Sequence, residues 1–320
     1  MRKKIIATVV LWTLAGLCMA EELVVAVARL PLALPFYVAE DQGYFRAQGL
    51  TLRIEDCTVG RVCLKRLLDG EVSIATAADT PIVLSSFSSQ AFFILATLSS
   101  SSNDTKLVAR RSAGIAVPRD LAGTRIGTIV GTSAQYFLDA FLLFNGVDRR
   151  AVTIVNVTPA GASDAIQKSE VDALAIFEPS AYAAAAALGA DGKILPSARI
   201  NHTTFNLLID RRIAGVRDAE LAKMLSALAQ AADFIRLRPL QAQAVLRKRL
   251  QLDQNFVDWI WKDYEYQISL DQSLIAVLES QARWAAREGY ASGSAAPNYL
   301  NYIYPAPLAR VLPAAITVVK

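Results

Sequence analysis

Residues 125–146 read RIGTIVGTSAQYFLDAFLLFNG. An apolar strand runs into a Gly-Thr-Ser corner, and an amphipathic helix then stops at Gly146. The spacing predicts that helix over Ala134 to Phe144, with Phe137, Phe141 and Phe144 on one side. A helix start carries unpaired backbone N–H groups and a partial positive charge. Gly131 lets a ligand approach the backbone closely, and Thr132 and Ser133 add hydroxyl donors. That set suits an oxyanion such as a sulfonate, carboxylate or phosphate. Plain capping by Thr132 or Ser133, with no ligand involved, accounts for the same residues.

Strands alternate with helices on both sides of this corner. ELVVAVA (22–28) reads as a buried strand, LPFYVAEDQGYFRAQG (34–49) as a helix opened near Pro35 and closed around Gly43, and LTLRIED (50–56) as a half-buried strand. A helix over Val62 to Leu68 is stopped by Gly70, and the strand EVSIAT (71–76) follows. Thr80 can cap the next helix, with Pro81 in its first turn. AFFILATLS (91–99) and KLVARR (106–111) read as strands, then VPRDLAG (117–123) as a turn and short helix. Beyond the corner come the strand VTIVNV, the helix GASDAIQKSE, the strand VDALAIF and the helix EPSAYAAAAAL. This alternation implies an α/β chain with parallel sheets. LLDGEVSIATAADTP (67–81) and AIQKSEVDALAIFEP (165–179) echo each other, as two similarly built lobes or chance would both produce. After the strand FNLLIDRR (205–212) the pattern turns to long helices: 218–237, 239–250, 253–264 and 269–289. The aromatic tail NYLNYIYPAPLARVLP (298–313) is expected to pack on a lobe.

The N-terminus has the layout of a secretory leader. Arg2, Lys3 and Lys4 precede the apolar run Ile5 to Leu17, and Cys18-Met19-Ala20 leads into Glu21-Glu22. Leu17 stands where a lipoprotein signal would carry a small residue, so cleavage near Ala20 without lipidation is expected. No later apolar run reaches the roughly 18 residues of a membrane span. The chain has 33 Lys+Arg against 29 Asp+Glu, and the leader holds three of the basic residues. The remainder balances 30 against 29, which gives no support for nucleic-acid binding.

Cys57 and Cys63, six residues apart, either close a small disulfide loop in an oxidising compartment or stay as free thiols. They are too few for zinc, because the only histidine, His202, is far along the chain. A Ser-His-acid triad would have to use that one histidine. The glycine corner lacks the lysine of a phosphate-binding loop, and no GxGxxG occurs. The corner pattern does recur: ATAADTP and IFEPS also put polar residues between strand end and helix start. In open parallel sheets, ligands collect outside the carboxyl ends of the strands.

Five segments carry a family resemblance: GYFRAQGLTLRIE, LKRLLDGEVSIATAADTP, LVARRSAGI, DLAGTRIGTIVGTSAQYFLDAFL and VTIVNVTPAGASDAIQKSEVDALAIFEPSA. They resemble the periplasmic substrate-binding proteins of ABC importers for nitrate, sulfonate and taurine, including the NMT1/THI5-like group. The resemblance runs from about residue 35 to 182. It implies a type II periplasmic-binding fold, in which two α/β lobes joined by a two-segment hinge close over a ligand. The crossings are expected near Lys106–Arg110 and Thr203–Asn206. Lobe one would combine 21–108 with 206–320, and lobe two would be 109–205.

The resemblance also implies ligand contacts from the loops that follow strands. These are Arg29 to Pro35 with Leu30, Asp79 and Thr80, Gly131, Thr132, Ser133 and Gln135, Glu178, and Asn206 near the second crossing. Thr132 and Ser133 would take the anionic end, met by Thr80 from the other lobe. Asp79 either faces the cleft and favours a ligand with an amine, or turns away to support its helix start. Arg29 either pairs with the anion or salt-bridges Asp79. Glu178 is a wall residue or a contact. The expected function is non-enzymatic: a monomer without metal or cofactor binds a small polar, anionic solute and delivers it to a membrane permease with its ATPase. A same-fold biosynthetic enzyme and a sensor domain for a membrane receptor are the alternatives.

Overall fold

The computed structural model describes residues 22–197, 199–291 and 295–319. The expected leader lies outside them. The first lobe opens with β1 (Leu23–Ala28), α1 (Leu34–Asp41), α2 (Tyr44–Ala47), β2 (Leu52–Cys57), α3 (Gly60–Leu68), β3 (Ile74–Ala78), α4 (Asp79–Ser86) and β4 (Phe92–Ser101). The second lobe follows with β5 (Thr105–Arg110), β6 (Arg125–Thr128), α5 (Ser133–Phe144), β7 (Thr153–Asn156), α6 (Ala162–Gln167), β8 (Ala173–Phe177), α7 (Ser180–Leu188) and β9 (Gly192–Leu195). The chain then returns to the first lobe with β10 (Thr203–Asp210), α8 (Asp218–Leu237), α9 (Pro239–Leu250), α10 (Gln254–Ile260), β11 (Tyr264–Ser269), α11 (Gln272–Arg287) and α12 (Ala306–Val311).

The two sheets are built to one plan. The first is ordered β2-β1-β3-β10-β4-β11 and the second β7-β6-β8-β5-β9. In each, three parallel strands meet one antiparallel strand that arrives directly from a crossing, β10 in one and β5 in the other. The two echoing segments supply β3 and β8, which hold the same place in the two sheets. The chain leaves the first sheet after Ser101 and enters the second at Thr105. It returns between Leu195 and Thr203. Lys106 to Arg110 therefore form a strand of the second sheet, and Thr203 to Asn206 a strand of the first, each directly beyond a crossing.

Burial explains the near-continuous apolar strands. Every residue of β8 and β10 is buried, as expected when helices cover both faces of a sheet. In β5, Val108 joins the larger core while Leu107 and Ala109 face a second cluster with Phe137, Leu138 and Phe141 of α5. Phe144 does not join them: it ends α5 and is 68% exposed. The aromatic tail packs on the first lobe, where the Tyr302 hydroxyl donates to the Ser86 and Ser89 carbonyls and Tyr304 stacks on Phe93.

Two strands depart from the sequence expectation. β9 was not anticipated, and the helix expected over 253–264 ends at Ile260. Tyr264 instead begins β11, an edge strand in which Tyr264 and Tyr266 lie with rings 6.2 Å apart and nearly parallel. No described helix is long and apolar enough to cross a membrane.

Candidate functional site

The Gly-Thr-Ser corner joins β6 to α5. Gly131 has φ +77°, which a side chain would strain. The Gly131 N–H donates to Gln135 Oε1 at 2.7 Å, and the Val130 N–H to Asn156 Oδ1 at 3.1 Å. Thr132 is the cap: its hydroxyl accepts from the Ala134 N–H at 3.3 Å and donates to the Ile129 carbonyl at 2.6 Å. Gln135 and Thr132 are thus spent on holding the corner. The Thr132 and Ser133 N–H groups and the Ser133 hydroxyl make no hydrogen bond among the described residues. Ser133 is nevertheless only 4% exposed. The corner presents three donors, and its one open side-chain acceptor is the same neutral Ser133 hydroxyl.

From the other lobe, α4 packs against α5. Here Thr80 is not the cap, because the helix begins at Asp79 after Ala78. Asp79 turns inward, fully buried. One oxygen accepts the Thr80 N–H at 2.8 Å and the other the Thr204 N–H at 2.9 Å. Burial raises its pKa against the pull of these bonds. The carboxylate serves its own helix start and ties α4 to β10. Thr80 donates to Gln281 Oε1 at 2.7 Å, and the buried Gln281 Nε2 has no partner. Asn206 is committed beneath: it accepts from the Thr97 hydroxyl at 2.8 Å and donates to the Thr204 hydroxyl at 3.0 Å.

Arg29 goes elsewhere. Its backbone N–H bonds the Cys57 carbonyl, and its half-exposed guanidinium lies 3.8 Å from Asp56 rather than beside Asp79. Leu30 is buried with its N–H on the Ala28 carbonyl, and Pro35 is buried in the first turn of α1. Glu178 ties the lobes together. It accepts the Tyr182 N–H at 2.9 Å within its lobe and the Trp259 indole N–H at 3.0 Å from the other. Burial raises its pKa too. Cys57 and Cys63 are buried free thiols. The Cys63 thiol hydrogen-bonds Cys57 and lowers the Cys57 pKa, while burial pushes Cys63 up.

Three further residues belong to the interface between the lobes. Trp284 donates to Asp139 Oδ2 at 3.0 Å and meets Tyr136 edge-on with centroids 5.1 Å apart. Trp259 pairs with Glu178. Arg61 is the second residue of α3, whose Gly60 sits so close to Ala77 that a Cβ would lie 2.8 Å from its Cα. A Cβ on Gly131 would lie 3.2 Å from Arg61 Cδ, so this side chain rests on the corner of the opposite lobe. Arg61 was not among the expected site residues, although TVGRVC is one more turn between strand and helix. The two tryptophans had no local signal.

A family model described as NMT1/THI5 like matches residues 31–242. No curated protein is significantly similar to the chain. Among solved structures, the alkanesulfonate-binding protein SsuA from Xanthomonas axonopodis pv. citri, bound to MOPS, superposes with a TM-score of 0.76 at 17% identity. That likeness covers 89% of this chain and 98% of that one. The periplasmic aliphatic sulphonate binding protein SsuA from Escherichia coli gives 0.77 at 18% identity, over 90% and 93%. The desulfurization enzyme DszB gives 0.67 at 15% identity, over 92% and 99%. At such identities these likenesses speak for the fold, which is that of periplasmic binding proteins. With two thirds of its length matched by one family model, the chain belongs to the NMT1/THI5-like family.

Proposed function

We propose that this protein is the extracytoplasmic solute-binding component of an ABC importer. It captures one small polar, oxyanionic organic solute of the sulfonate class between its lobes and presents the closed form to a membrane permease. The observation that carries this reading is the Ser133 corner, whose open donors begin the helix that packs against α4 of the other lobe. Both SsuA proteins are described as binding sulfonates, and the one from Xanthomonas holds MOPS. An exported location is supported by the leader-like N-terminus.

The hinge of closure is assigned to the two crossings, between β4 and β5 and between β9 and β10. A solute that contacts both lobes shifts an open–closed equilibrium by its differential affinity for the closed state. The preference for binding over turnover rests on His202, the one histidine, which sits at a crossing against the Ser102 hydroxyl at 3.2 Å. It is not part of the corner. The test is a titration of leader-free protein with small sulfonates, carboxylates and nitrate. Tryptophan fluorescence reports closure through Trp259 and Trp284. Saturable one-to-one binding is expected. Chemical conversion of a probe by the protein alone would contradict the reading.

A further inference from the structure

Arg61 brings an unanswered charge to the place where the lobes meet at Gly131. It is exposed, and it makes no hydrogen bond or ion pair among the described residues. It lies in the first turn of α3, where the helix dipole opposes a cation. Its stem rests on Gly131, directly before the open N–H groups of Thr132 and Ser133. Two helix starts and one guanidinium therefore bring positive charge to the same place from opposite lobes.

Among the described residues, the buried carboxylates at the junction of the lobes all have partners. Three have both oxygens engaged, and Asp104 has one oxygen on the Tyr264 hydroxyl. Asp79 accepts from the Thr80 and Thr204 N–H groups, Asp139 from Arg149 and Trp284, and Glu178 from Tyr182 and Trp259. Asp56, closer to α3 in sequence, is held by Arg29 and Arg249. A bound anion would meet Arg61 and the unpartnered, buried Ser133 hydroxyl together. A solute ammonium would find at most a neutral hydroxyl acceptor in Ser133 and would be repelled by Arg61.

We infer that Arg61 is the charged ligand-binding residue of the cleft. From the first lobe it grips the anionic end of the solute against the Thr132–Ser133 corner of the second, so the cleft selects a net-anionic solute over a zwitterion of the same size. This rests on the solute-binding reading above. A guanidinium presents a planar fork of donors suited to two oxygens of one anion. Gly131 has a role in the same contact: without a Cβ it lets the arginine stem lie on the corner.

The test compares ethanesulfonate with taurine, which adds only an amine, by calorimetry on leader-free protein. Wild type binds ethanesulfonate at least tenfold more tightly than taurine. Arg61→Met loses at least tenfold for ethanesulfonate and narrows that gap, and Arg61→Lys recovers part of the loss. The melting temperature stays unchanged in both variants, because the side chain is exposed and unbonded. Equal affinity in Arg61→Met, or taurine bound as tightly as ethanesulfonate, overturns the inference. The titration is extended to propionate, nitrate and uncharged sulfolane. Closure on sulfolane alone overturns the role of Arg61 while leaving the solute-binding reading intact, and closure on none of these probes removes both.

Discussion

Asp139 in the second lobe accepts the indole N–H of Trp284 in the first at 3.0 Å, while its other oxygen takes Arg149 Nε at 2.9 Å. Burial raises the pKa of this carboxyl, so the bond is made where an unanswered oxygen is costly. Trp284→Phe keeps an aromatic ring against Tyr136 but removes the donor. The variant is expected to shift the lobes toward the open form by about 1–3 kcal/mol. Small-angle scattering should show a larger radius of gyration, and solute affinity should fall roughly tenfold, since 1.4 kcal/mol is a factor of ten. An unchanged radius and affinity would remove Trp284 from the closure.

Thr132 and Ser133 are neighbours with different work to do. Thr132→Val deletes a cap that is bonded on both sides, so unfolding free energy should drop by about 1 kcal/mol in urea. Ser133→Ala deletes a hydroxyl with no partner, so stability should hold while solute affinity drops. The opposite pattern would assign the ligand to the wrong residue.

Asp79→Ala leaves two buried backbone N–H groups, those of Thr80 and Thr204, without acceptors. The expected loss of stability is about 2–4 kcal/mol, read from the urea midpoint. A variant as stable as wild type would mean that the inward carboxylate does not tie α4 to β10.

Asp104 sits on the first crossing and accepts the Tyr264 hydroxyl from β11. Burial pushes its pKa up to about 7, against that bond; Lys106 lowers it, while Glu178 and Asp79 raise it. An unfolded aspartate titrates near 4, so the folded chain holds a proton that the unfolded chain has released between these values. The resulting stability is full below about pH 4 and is lost as pH rises through about 7. Melting temperature should therefore fall from pH 5 to pH 8, and Asp104→Asn should flatten part of that slope. Asp79, Asp139 and Glu178 carry shifts of the same sign and supply the rest.

The parts of the fold that were legible in sequence are those with local causes. Strand and helix alternation gave the two similar sheets, because parallel strands buried on both faces leave apolar runs that turn residues punctuate. β11 was hidden because its Tyr-Glu-Tyr alternation follows a helical segment with no glycine or proline between them. At the site, the open donors of Ser133 follow from the helix start itself. Which way Asp79 and Arg29 turn was not legible. That choice is made by Thr204 and Asp56, which are brought in by other strands. Trp259 and Trp284 come from the helical region beyond the recognisable motifs, where an interface residue looks like any amphipathic helix residue.

The most direct measurement is native mass spectrometry of the mature protein taken from its own host, alongside an Arg61→Met/Ser133→Ala double variant. The account predicts one small oxyanionic molecule per wild-type chain, released on mild unfolding and missing from the double variant. A molecule retained equally by both proteins, or a wild-type chain that stays empty after exposure to host extract, would contradict it.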